Sequence, residues 1–180
     1  MDLSRPLAGD PYSLMPPLPT FALTSDDLTE GAELTAALTE DGGSTSPHLA
    51  WAGFPAATRS FVVSCFDPDA PGPAGFWHWT VFGLPASTTS LPTGVGGPDG
   101  TGLPAGAVQT LNDGGTRGYT GAAPPRGDRV HRYVFAVHAL DIAELGLDDT
   151  ATPTAVALAA TFHGLARATL IGTFRRDALR

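Results

Sequence analysis

Apolar positions along the chain fall into short runs with a two-residue period, separated by stretches of glycine and proline. RSFVVSCF (59–66) is rich in Val and Phe and predicts a strand. It ends at DPDAP, because proline cannot donate to a sheet ladder. WHWTVFGL (77–84) predicts a second strand. RVHRYVFAVHALD (129–141) predicts a third, whose alternation sets His131, Tyr133, Phe135 and Val137 on one face. FALTSDDLTEGAELTAALTE (21–40) reads as two short strands joined by an Asp/Gly turn. DGGSTSPHLAW (41–51) reads as a loop of turn formers.

The period lengthens near the C-terminus. Thr152 as N-cap and Pro153 at the first helical position predict a helix over 153–168, after which LIGTFRR returns as a strand. Residues 85–128 are Gly-rich and keep no sustained period, and a loop of that length in a compact domain points to function. The proline-rich residues 1–18 read as an irregular arm, which leaves 19–180 as a single domain.

Composition sharpens this picture. A chain of 180 residues supports one domain with a real core and is short for two. With 22 Gly, 17 Pro and only 16% charged residues, short strands and many turns are favoured over a helical bundle. All ten basic residues are arginine, and the net charge is −8. Without a basic stripe, nucleic acid is excluded as a partner and anionic membranes are disfavoured. Cys65 is alone, so it forms no intramolecular disulfide, and its place in FVVSCF reads as a buried, inert thiol. MDLSRPLAGDPYSLMPPLP has no unbroken apolar segment, so it reads as neither signal peptide nor membrane span, and a cytoplasmic location is expected.

Candidate chemistry begins at DPDAPGPAGFWHWTVFGLP (67–85). If the first two strands pair as antiparallel neighbours, Asp67 and Asp69 come near His78. If the start of the third strand meets the same rim, His131 and Tyr133 join them. Read singly, each residue has a plainer explanation: Asp-Pro-Asp is a good turn former, and Trp77 and Trp79 read as core or pocket wall. His48, His138 and His163 lack such company and read as structural.

SPHLAW (46–51), DPDAP (67–71), the His-Trp at 78–79 and GAAPPRGDRVHRYVF (121–135) resemble, in order and spacing, the phosphatidylethanolamine-binding protein family, in its bacterial Raf-kinase-inhibitor-like branch. The resemblance spans about residues 18 to 175. It implies a mainly β fold, with a large central antiparallel or mixed sheet packed on a smaller sheet and a C-terminal helix. It also implies a rim pocket for phosphate or a phosphoethanolamine head group. Carried over by motif, the ligand-binding positions are Asp67, Asp69, His78, Pro125, His131 and Tyr133. In this reading His78 and His131 donate to the anion, Asp67 and Asp69 orient them or accept an ammonium, and Pro125 is a rigid wall.

No catalytic residue, metal or cofactor is assigned. A kinase or protease partner and a homodimer are further expectations from the family. The alternative is a metal-assisted phosphoester hydrolase built on the same Asp/His pocket; a third reading is an interaction protein that acts through its surface. Two positions depart from the family pattern: Ala122 replaces a proline before Pro124-Pro125, and Phe174 replaces a tyrosine near the C-terminus.

Overall fold

The computed structural model describes residues 4–178. Its elements are β1 (Ala22–Thr24), β2 (Leu49–Ala52), β3 (Ser60–Asp67), β4 (Phe76–Pro85), β5 (Ser90–Leu91), β6 (Val108–Gln109), β7 (His131–Leu140), α1 (Pro153–His163) and β8 (Gly164–Phe174). A five-stranded sheet runs β6-β4-β3-β7-β8, and a three-stranded sheet runs β1-β2-β5. All pairings between these strands are antiparallel.

Alternation decides how the sheets stack. Phe61, Val63 and Cys65 of β3 share one face with Val81 of β4 and with Tyr133, Phe135 and Val137 of β7. That face packs on Leu49, Trp51 and Leu91 of the small sheet, forming the main core. A smaller core lies on the opposite face, where Val62, Phe82 and Leu140 meet Val156 and Ala160 of α1. The arm of residues 4–18 also covers part of this second face, with Tyr12 set edge-on to His138 at 5.6 Å between ring centres.

The three principal strands lie where alternation predicts them, within two residues at each end. Three other expectations change. The predicted helix over 153–168 stops at His163, and β8 begins at Gly164. Ala166 and Ala168 obey the strand period, pairing with Ala139 and Val137 and burying against the large sheet. The helix start stands as read: Thr152 Oγ1 accepts from the Ala155 N–H at 3.1 Å, and Pro153 opens the first turn.

Residues 21–40 hold one strand rather than two. Glu33 makes only an isolated parallel bridge to Thr173, and Ala36–Leu38 is a 3-10 turn. The segment 41–51, expected as a loop, ends in β2, because Leu49 and Trp51 alternate into the core.

Candidate functional site

One irregularity in the β3–β4 pairing shapes the site. Cys65 pairs with Trp79 and Phe66 with Trp77, which leaves His78 as the extra residue of a bulge. The bulge sends Trp77 to the outer face, where it stacks on Phe66 with ring centres 4.5 Å apart. Trp79 stays in the core, donating from Nε1 to Gln109 Oε1 at 2.7 Å. Asp67 follows Cys65 by two residues and so emerges on the core side, beside the bulged histidine.

A cavity of about 450 Å³ opens at this end of the sheet. Its lining includes Asp67, Pro71, Phe76 and His78, then Thr120, Gly121, Ala123, Pro124 and Pro125 of the Gly-rich segment, then His131, Glu40 and Arg176. The long segment 85–128 therefore supplies one wall of the cavity. Gly121 allows that wall to close: a Cβ there would sit 2.2 Å from the Thr39 carbonyl carbon, and its N–H donates to Ser44 Oγ at 2.9 Å.

His131 is fully buried at the start of β7. Its Nδ1 lies 2.7 Å from Asp67 Oδ2, and its Nε2 lies 2.9 Å from Asp128 Oδ2. Burial opposes a charge on the ring, but the two carboxylates outweigh it and hold the imidazole above its ordinary pKa. Hydrogen bonding to Arg5 holds the Asp128 carboxyl well below the usual range, against the cost of its burial. Arg5 donates to both Asp128 oxygens, and Arg5 Nη2 also donates to the Asp69 carbonyl.

His78 is in the opposite condition. Its Nδ1 lies 2.9 Å from the Thr120 carbonyl, which can only accept, so Nδ1 carries the proton. Burial lowers its pKa despite that bond and the nearby Asp67 charge, which favours the neutral ring. Nε2 is left as the polar atom a ligand can meet. Phe76 and Tyr133 hold the ring from two sides, at 4.7 and 5.1 Å between centres.

The structure thus brings Asp67, His78, Pro125 and His131 to one cavity. Asp69 and Tyr133 stand behind it. The Asp69 carboxylate is taken up by Arg132, with Nε to Oδ2 at 2.7 Å, Nη2 to Oδ1 at 2.9 Å and the backbone N–H to Oδ2 at 3.1 Å. Burial raises the Asp69 carboxyl, and the Arg132 contacts outweigh it, leaving the pKa lowered. Tyr133 is fully buried under His78, and burial pushes its phenol up.

Four residues that motif reading did not assign shape the site: Glu40, Asp128, Arg5 and Arg176. Arg176 Nη2 donates to Glu40 Oε2 and to Asp41 Oδ1, each at 2.8 Å, while its buried Nε has no partner among the described residues. Only Asp128 had a local signal, since it stands three residues before His131 in the RGDRVH run.

Neither departure from the family pattern enters the cavity lining. Ala122 is buried in backbone bonding, its N–H donating to the Leu38 carbonyl and its carbonyl accepting from Glu40. Phe174 pairs with His131 across β7 and β8 and packs on the main core.

The histidines and the cysteine read as structural sit in such surroundings. His48 Nδ1 accepts from the Asp26 N–H at 3.2 Å, and His163 lies 3.0 Å from Asp141. Cys65 is fully buried, and burial pushes its thiol up. Among the described residues no group of three or more His, Cys, Asp or Glu is placed to hold a metal ion. No helix among them is long and apolar enough to cross a membrane.

Comparison with known proteins agrees with this architecture. The family model described as phosphatidylethanolamine-binding protein matches residues 24–175. The UPF0098 protein YbhB of Escherichia coli is 46% identical over 157 residues, covering 84% of this chain and 98% of its own. The crystal structure of E. coli YbcL, described as a new member of the mammalian PEBP family, superposes with a TM-score of 0.85. That match has 40% identity and covers 87% of this chain and 99% of YbcL. The structure of a PEBP homolog from Chlamydia trachomatis superposes with a TM-score of 0.75 at 30% identity, over 88% of this chain and 99% of the other.

Proposed function

Because the chain belongs to the phosphatidylethanolamine-binding protein family, we propose that its cavity binds a small phosphoryl head group and performs no chemistry on it. The observation that carries this reading is Arg176, a lining cation whose buried Nε has no partner among the described residues, in the same cavity as His78. Charge-assisted donors of this kind are the strong ones for phosphoryl oxygens.

The balance of charge in the lining points to a zwitterion over a bare anion. Glu40 and Asp67 face Arg176 and the His131 imidazole, whose pKa the neighbouring carboxylates raise. A cavity with separated charges of both signs suits phosphoethanolamine, its phosphoryl group at Arg176 and its ammonium at Glu40 or Asp67, with the unprotonated Nε2 of His78 a further acceptor for the ammonium. His131, with both nitrogens facing carboxylates, contributes its charge and holds Asp67 in place. That differs from the direct donor role expected of it from sequence. A kinase or protease partner finds no support in the chemistry of this cavity.

Calorimetric titration with phosphoethanolamine and with inorganic phosphate tests the assignment. Loss of a charged hydrogen bond costs about 1.5–3 kcal/mol, so Arg176→Gln should weaken both ligands by about ten-fold or more. Glu40→Gln should weaken phosphoethanolamine more than phosphate. Equal affinities in all three proteins would sink the reading. Hydrolysis of p-nitrophenyl phosphate, with and without added zinc, should stay at background; saturable turnover would favour the hydrolase instead.

A further inference from the structure

A second cavity, of about 410 Å³, lies under the N-terminal arm, lined in part by Arg167, Leu18, Thr20, Val134, Thr169 and Ile171. Val134, Thr169 and Ile171 alternate with residues of the main core, so this cavity is on the opposite face of the large sheet from the first. Its size falls at the small end of ligand pockets.

Its charge is unusual for this protein. The chain carries a net charge of −8, yet Arg167 forms no ion pair and no side-chain hydrogen bond among the described residues. Its guanidinium carbon sits 3.9 Å from the centre of the Tyr12 ring, which fixes the planar group in place. The other cation in the lining, Arg132, is occupied by Asp69. The one carboxylate in the lining, Asp10, accepts from the Tyr12 N–H at 2.8 Å and makes no ion pair with Arg167. His138, paired with Arg167 across the strands, is held neutral by burial, its pKa lowered to about 3. Burial also lowers the Arg167 pKa, outweighing the opposite influence of Tyr12 and Asp10, neither of which forms an ion pair with it.

We propose that this cavity is a second binding site, for a small carboxylate carrying an apolar tail. Arg167 meets the carboxylate with two parallel N–H donors, the geometry at which a guanidinium excels. Leu18, Val134 and Ile171 line the space for the tail, and Thr20 and Thr169 add hydroxyl-bearing side chains to the lining. Stacking on Tyr12 makes Arg167 a preorganised partner, so little side-chain freedom is lost when the ligand arrives.

Octanoate and phenylacetate serve as probes, titrated into the full chain and followed by calorimetry and by the NMR signals of Tyr12. Saturable binding of at least one acid is expected, undisturbed by excess inorganic phosphate and unchanged in His78→Ala. Arg167→Gln should weaken it by about ten-fold or more, the effect of losing a charged hydrogen bond. Thr169→Tyr should weaken it as well; it fills the cavity from an exposed strand position and leaves Arg167 in place. Thermal melts and near-ultraviolet circular dichroism of both variants establish that the fold is retained. The proposal is overturned if neither acid saturates, if phosphate competes with the acid, or if both folded variants bind like the parent.

Discussion

His131 and His78 line one cavity, and burial presses the charge off both rings. At His131 the carboxylates of Asp67 and Asp128 win, whereas at His78 the Thr120 carbonyl bond and the more distant charges of Asp67 and Asp113 do not. Charge is therefore favoured on the first ring and disfavoured on the second. A raised pKa in the folded state stabilises the fold at pH values below the ordinary histidine value, about 6.5. That contribution is lost as pH rises through the folded value. Asp128→Asn removes one of the two carboxylates and should lower the His131 titration midpoint, read from its ring proton signals. Arg5→Gln, which leaves the carboxylate in place, should change it less. An unmoved midpoint in Asp128→Asn would mean that Asp67 alone sets the charge of the ring.

The elements differ in how plainly the sequence announces them. β3, β4 and β7 are legible because each buries residues on strict alternation, and the site residues on them inherit that legibility. The end of α1 is not, because Gly-Leu-Ala-Arg-Ala suits either a helix or a strand until β7 supplies a partner. Glu40 and Arg176 could not be found locally, since they meet across 136 residues of chain. Motif position alone puts Asp69 with the ligand, whereas its pairing with Arg132 is a contact across 63 residues of chain that no local pattern announces. The seam at Gly121 is another long-range feature, joining the 120–125 wall to the turn that carries Glu40. A Cβ at this position would lie 2.4 Å from the Glu40 nitrogen. Gly121→Ala should therefore destabilise the protein by about 1–3 kcal/mol, the usual cost of overpacking. It should also weaken phosphoethanolamine binding by displacing Glu40. Urea unfolding measures the first effect and calorimetry the second; a variant with parental values in both would show that the seam yields freely.

Across the molecule, these local shifts combine into a pH profile with two separable limbs on the acid side. His138 is buried, its Nδ1 has no partner among the described residues, and burial lowers its pKa to about 3. An unfolded chain takes up a proton there from about pH 6.5 downward, while the folded chain refuses it until about pH 3. The sign is therefore destabilising as pH falls, by at most about 5 kcal/mol at 1.36 kcal/mol per unit. His78 adds to the same limb, since its pKa is lowered too. The carboxylates Asp27, Asp69 and Asp128, all held below their ordinary value, contribute stability that is lost only at lower pH, below about 4. The second limb thus begins where the first is already well advanced. His138→Leu removes the His138 contribution together with its unpartnered Nδ1. It should match or exceed the parent in stability at pH 7 and widen its advantage between pH 6 and pH 4. Denaturant unfolding at half-unit pH steps reads this directly. If the difference between the two proteins does not grow across that interval, the acid sensitivity lies with the carboxylates and not with the buried imidazole.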